Sequence, residues 1–188
     1  MSSLLPAVER VAVWVARRRH ARALHPRGTV HPATWTVTDP DSALGRTLGT
    51  GSRPVVVRLS RGLGLPRPLP DVHGVAVRLE ADGDRVDLLL SGVRGFVSTL
   101  LPYRSPRGLV LLGLFGPDDG VYRIAEHTLA GRGRGKRTVG RLVLGEARGD
   151  EAAAYDPYLH HHPRLEPVGF LSGVREAAYR GSRRGRRR

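Results

Sequence analysis

Between residues 55 and 92 the chain runs VVVRLS, GVAVRLEA and RVDLLLSG, with ADGD joining the last two, and this series constrains the fold more than any other stretch. All three runs are rich in valine and leucine, and an Asp-Gly pair between two such runs is a strong hairpin signal. TVHPATWTVT (29–38) reads as a further β-rich stretch despite Pro32. Downstream, GLVLLGLF, VYRIAEHTL and TVGRLVLGEA alternate with the turns GPDDG and AGRGRGK, which predicts a three-stranded antiparallel meander.

Helical signals lie at the ends. Val8, Val11 and Val15 stand at helical spacing within residues 4–23, and Pro26 and Gly28 stop that segment. DPDSALGRTLGTGSRP is a turn-rich connection with room for one short helix, and residues 93–106 are expected to form a short helix and a loop. GDEAAAYDPYLHHHPRLEP is expected to be helical or irregular, and the last residues form a helix running into a basic tail. Six or seven strands with helices at the ends predict a mostly β protein with helices (α+β), built on a closed antiparallel barrel. One domain covers 1–188: an N-terminal helix (1–24), the barrel (28–148), a C-terminal helical segment (150–182) and a basic tail (183–188).

Composition removes several chemistries. With no cysteine, disulfides, thiolate metal sites and cysteine nucleophiles are excluded. The formal net charge is +14 and almost all of the positive charge is arginine, the side chain suited to gripping carboxylates and phosphates with two parallel hydrogen bonds. No apolar run reaches the roughly 18 to 20 residues that cross a bilayer. In the first segment the charges follow the apolar stretch, the reverse of a secretory signal, so the expected compartment is cytoplasmic. His160, His161 and His162 are consecutive and cannot all face one ion from regular structure. The tail RRGRRR has no interleaved aromatics, which ranks nucleic acid last among partners.

Four further stretches carry chemistry as an ordered set. Arg22, His25, Arg27 and Gly28 close the first segment. VRLS (57–60) places an arginine and a serine on one strand, which reads as presenting them inward. DVHGVAVR (71–78) opens the next strand, and Asp87-Leu88 lies on the one after it. Arg175, Tyr179, Ser182 and Arg186 fall on one stripe of a helix. In this order the set resembles the haem catalases and their smaller catalase-like peroxidase relatives. The resemblance covers residues 22–92 and, by motif, 170–186.

The resemblance implies a catalase-like barrel that binds haem b. Tyr179 would be the axial ligand of the iron, with Arg175 one helical turn away favouring the phenolate. Arg22, Arg58 and Arg186 would hold the haem propionates. On the opposite face of the haem, His25 would relay a proton between the two oxygens of a peroxide, oriented by Ser60. The implied substrate is hydrogen peroxide or an organic hydroperoxide. A homo-oligomer is compatible with this, and no membrane partner is implied. One departure stands out: where the family carries an asparagine after a D-L-V-G type segment, this chain has Ser91 or Gly92. That departure and the shortened chain leave a rival, a haem-free barrel that binds an anionic ligand or serves as a scaffold.

Overall fold

The computed structural model describes residues 28–62, 71–99, 101–130, 135–149 and 154–168. The strands are β1 (Gly28–Val37), β2 (Gly51–Arg61), β3 (His73–Ala81), β4 (Asp84–Val93), β5 (Gly95–Ser98), β6 (Tyr103–Ser105), β7 (Gly108–Asp118), β8 (Val121–Ala130), β9 (Gly135–Leu144) and β10 (Glu166–Pro167). One helix, α1 (Ala43–Leu48), joins β1 to β2. All neighbours pair antiparallel, and β7 pairs with β8, which closes β1, β2, β3, β4, β5, β7, β8 and β9 into an eight-stranded barrel. β6 continues along the edge of β7 beyond β5, and β10 caps β6.

The chain closes this way because apolar residues recur at every second position of each strand. Val55 and Val57 on β2, Val75, Val77 and Leu79 on β3, and Val86, Leu88 and Leu90 on β4 turn to the interior. They meet Trp35, Leu112, Leu114, Ile124 and Leu142 from the other strands. Side chains fill a barrel of this size, so the interior is core and not a channel. The β3–β4 hairpin turns on Asp82 and Gly83 (φ 53° and 85°), the left-handed pair that a two-residue type I′ turn requires. At the seam between β1 and β9 the backbones approach so closely that a Cβ on Gly140 would stand 1.9 Å from the Thr36 carbonyl oxygen.

α1 plugs one end of the barrel. Ser42 caps it by accepting a hydrogen bond from the Gly45 N–H at 2.8 Å, while Ala43, Leu44 and Leu48 are buried. Glu126 reaches the helix from inside the barrel. Its carboxylate accepts from the backbone N–H groups of Ala43 (2.8 Å) and Leu44 (2.6 Å) and is 1% exposed.

One expectation is corrected: residues 93–106 form β5 and β6, because the second edge of β7 must be paired to close the barrel. Of the helical and irregular alternatives, residues 154–168 take the irregular one, with turns and the short β10 in place of a C-terminal helical segment there: Asp156 and Asp87 pin this segment to the barrel wall. The terminal helices and the tail lie outside the described residues.

Candidate functional site

The strands position a row of residues on the outer wall. Register aligns Gly28 with Ser60, Ser60 with Gly74, Gly74 with Ser91, and Ser91 with Ser98, a strip of small residues across five strands. Beside it, Val30, Arg58, Ala76 and Leu89 form a second row. VRLS therefore presents its arginine and serine outward and not inward: period-2 alternation gives the interior to Val55 and Val57 and the outer face to Arg58 and Ser60.

These outer positions are covered. Val30, Arg58 and Ala76 are 4%, 3% and 9% exposed. The Arg58 guanidinium lies over Gly28, where an added Cβ would fall 2.7 Å from Cζ. Glycine at 28 is thus needed for the guanidinium to lie against the strand. The Ser60 hydroxyl donates to the Gly74 carbonyl oxygen at 3.3 Å.

Of the residues singled out for haem, the structure brings Arg58 and Ser60 onto one face. Gly28, the last residue of the Arg22–Gly28 motif, is the Cα partner of Ser60. Arg22, His25, Arg175, Tyr179 and Arg186 lie outside the described residues. Register also separates the two positions left open for the asparagine. Ser91 sits on the outer strip between Gly74 and Ser98. Gly92 faces the other way, and a Cβ there would stand 2.3 Å from the Phe96 carbonyl oxygen.

An apolar cleft borders this wall where residues 157–167 cross it. Leu89, Thr99, Leu101, Tyr103, Pro157, Tyr158 and Pro167 line it. The crossing segment is held by Asp87, which is fully buried. Its carboxylate accepts from Arg78 Nε (3.0 Å), from Arg85 Nη2 (2.6 Å) and Nε (3.2 Å), and from the Asp156 N–H (2.9 Å). The Arg78 guanidinium also packs over the Tyr155 ring at 4.4 Å.

Composition gave no notice of two of these groups. Glu126 shares its period-2 register with Tyr122, Ile124 and Thr128, so the alternation in VYRIAEHTL does carry the signal for an inward carboxylate. His162, from the run of three histidines, is 3% exposed and bound at both nitrogens. Its Nε2 pairs with Asp82 at 3.1 Å and its Nδ1 accepts from the Arg164 N–H at 3.0 Å. That hydrogen bond and the cationic neighbours hold the Asp82 carboxyl below its ordinary range. No cluster of three or more metal-ligating side chains occurs among the described residues, and none of their helices is long and apolar enough to cross a membrane.

No protein-family model matches the chain, and no curated protein matches it in sequence. Among solved structures, the fold is similar to that of a fungal catalase with a TM-score of 0.67 at 13% identity. The similarity covers 89% of this chain and 59% of the catalase chain, so this chain spans about three-fifths of its length. The barrel is a catalase-like barrel.

Proposed function

We propose that this barrel is a haem-dependent, catalase-like peroxidase acting on hydrogen peroxide or organic hydroperoxides. One observation carries the reading: Arg58 and Ser60, singled out by their motif, share the outer wall of a catalase-like barrel, and the motif holding His25 ends on Ser60's strand partner. The described residues fit the group. A guanidinium 3% exposed on that wall is suited to a propionate carboxylate, and the strip Gly28, Ser60, Gly74 and Ser91 offers a flat, small-residue surface beside it.

In this reading Arg22, Arg58 and Arg186 would hold the propionates, Tyr179 would ligate the iron, and Arg175 would favour its phenolate form. Bound haem supplies the redox chemistry that cleaves the O–O bond. His25 takes the proton from one peroxide oxygen and returns it to the other. Ser60, whose hydroxyl donates to Gly74, would help to orient the His25 imidazole.

Ser91 favours the second reading, a haem-free barrel that binds an anionic ligand, because it lacks the amide that would orient peroxide. The absorption spectrum of protein produced with haem available decides between them. A Soret band that survives gel filtration and is lost in Tyr179→Phe supports the haem enzyme. A folded chain with no Soret band supports the anion-binding barrel.

A further inference from the structure

On β4 and β5 the next outward row beyond Ser91 and Ser98 continues round β7, β8 and β9, and the haem reading does not use it. Val93, Phe96, Phe115, Arg123, Arg141 and Thr36 stand in register as one outward row across β4, β5, β7, β8, β9 and β1. Arg123 and Arg141 are direct cross-strand partners, both exposed. Like charges directly opposite destabilise a sheet, and an anion lying across them relieves that cost.

No described acid neutralises the Arg123–Arg141 pair, whereas other described arginines have one. Arg46, Arg61, Arg78, Arg85, Arg104, Arg137 and Arg164 each pair with an acid. Among the described residues, Arg123, Lys136 and Arg141 on β8 and β9 form no ion pair, as Arg94 in the β4–β5 turn, Arg53 on β2 and Arg148 after β9 form none; the Arg123 guanidinium stands 6.0 Å from the Phe115 ring centroid. Glu126, between Arg123 and Lys136 in the ladder, points into the barrel and offsets neither. Asp118 at the end of β7, Asp119 in the β7–β8 turn and Glu146 after β9 form no ion pair with them.

Aromatic surface lies next to this uncompensated charge. Phe96 and Phe115 pack at 4.6 Å between centroids, and the edge of the Phe96 ring lies over Gly113, whose missing side chain makes room for it. Phe96 remains 39% exposed and Val93 66%. From Phe96 to Arg141 is three strand spacings, about 14 Å. We propose that this face binds single-stranded nucleic acid, with Arg123 and Arg141 on phosphates and Phe96 as a stacking platform for a base. An acidic protein would satisfy the arginines but leave the exposed ring without a partner. A duplex would keep its bases stacked away from it. Sequence-tolerant single-strand binding surfaces combine these same two elements, a cationic track and aromatic rings. The basic tail lacks aromatics, and this row supplies them.

The test is fluorescence anisotropy of the full chain with a labelled mixed-sequence single strand about 12 nucleotides long, the matching duplex, and phosphatidylserine vesicles as a competing anionic surface. Arg123→Ser/Arg141→Ser is expected to weaken single-strand binding about tenfold and to lower the log–log salt slope by about 1.4. Phe96→Leu keeps apolar cover over Gly113 but removes the ring, and is expected to weaken the single strand about tenfold while leaving duplex binding unchanged. Both substitutions are on the outer wall, and circular dichroism checks that the barrel persists. If Phe96→Leu unfolds, Phe96→Tyr, which restores a ring, must rebind the single strand at wild-type strength. The proposal is overturned by single-strand affinity that ignores both substitutions, by loss of binding only on deleting residues 183–188, or by vesicles that displace the strand completely.

Discussion

Asp87 and Arg85, two residues apart on β4, meet through two hydrogen bonds of 2.6 and 3.2 Å on the outer wall, and the same carboxylate accepts the Asp156 N–H at 2.9 Å. The pair is therefore a clasp: strand residues hold a carboxylate in place, and the carboxylate holds the segment that roofs the apolar cleft. The Asp87 N–H adds a tie to the His160 carbonyl oxygen at 2.8 Å.

Asp87→Ala is expected to destabilise the protein by about 3 kcal/mol, since it leaves two partly buried guanidinium groups and a buried N–H without their acceptor. The release is local first. Amide exchange at Asp156 to His160 should accelerate before that of β4 in the same variant. Uniform acceleration across β4 and the segment would mean that Asp87 braces the barrel and not the roof.

Glu126 predicts a pH effect of definite sign. Burial pushes its carboxyl above the ordinary 4.5, and the two backbone donors and Arg137 only partly offset that. A carboxyl with a raised folded pKa favours the folded state when protonated, so its ionisation costs stability as pH rises from about the ordinary value through the folded one. Glu126→Gln removes the charge but faces one amide hydrogen toward a backbone donor. It is expected to cost about 1 to 2 kcal/mol near pH 4, with the gap to wild type narrowing as pH rises. Urea denaturation from pH 4 upward reads this; a constant gap would show that the carboxyl's titration is not coupled to folding.

The Asp82 carboxyl, lowered by the hydrogen bond with His162, behaves oppositely. A depressed carboxyl contributes above its unfolded value and loses that contribution as pH falls through the folded one. Asp82→Asn suits the test because asparagine tolerates the left-handed turn position. The hairpin should persist while the Arg164 amide, which donates to His162, loses protection from exchange. Retained protection would assign the His162 geometry to its own packing.

The barrel was legible because its signal is local: alternating apolar residues and an Asp-Gly turn specify strands wherever they fall. The catalase-like order of motifs led to Arg58 and Ser60 on one wall, but the facing of that wall was misread. An arginine in a strand looks inward only if its register partners are ignored, and Val55 and Val57 settle the parity. Residues 93–106 were misread because Gly95 and Pro102 interrupt the apolar pattern, and the demand for a strand there comes from the open edge of β7. Tertiary closure, not local propensity, makes β5 and β6. Glu126 as a helix cap could not be read from spacing, since 82 residues separate it from Leu44.

Register also turns the asparagine question into an experiment. Ser91 stands on the outer strip between Gly74 and Ser98, both small, so a longer side chain there has space along the wall. Gly92 has none, with the Phe96 carbonyl oxygen 2.3 Å from a built Cβ. In haem-loaded protein, Ser91→Asn is expected to raise hydrogen peroxide consumption about tenfold, by holding the substrate in place for proton relay. Gly92→Asn is expected to lower the melting temperature instead, by several degrees, through backbone displacement. Oxygen evolution and thermal unfolding of the two variants separate the positions. If Ser91→Asn leaves turnover unchanged while His25→Ala abolishes it, the relay stands but Ser91 is not where the peroxide is oriented.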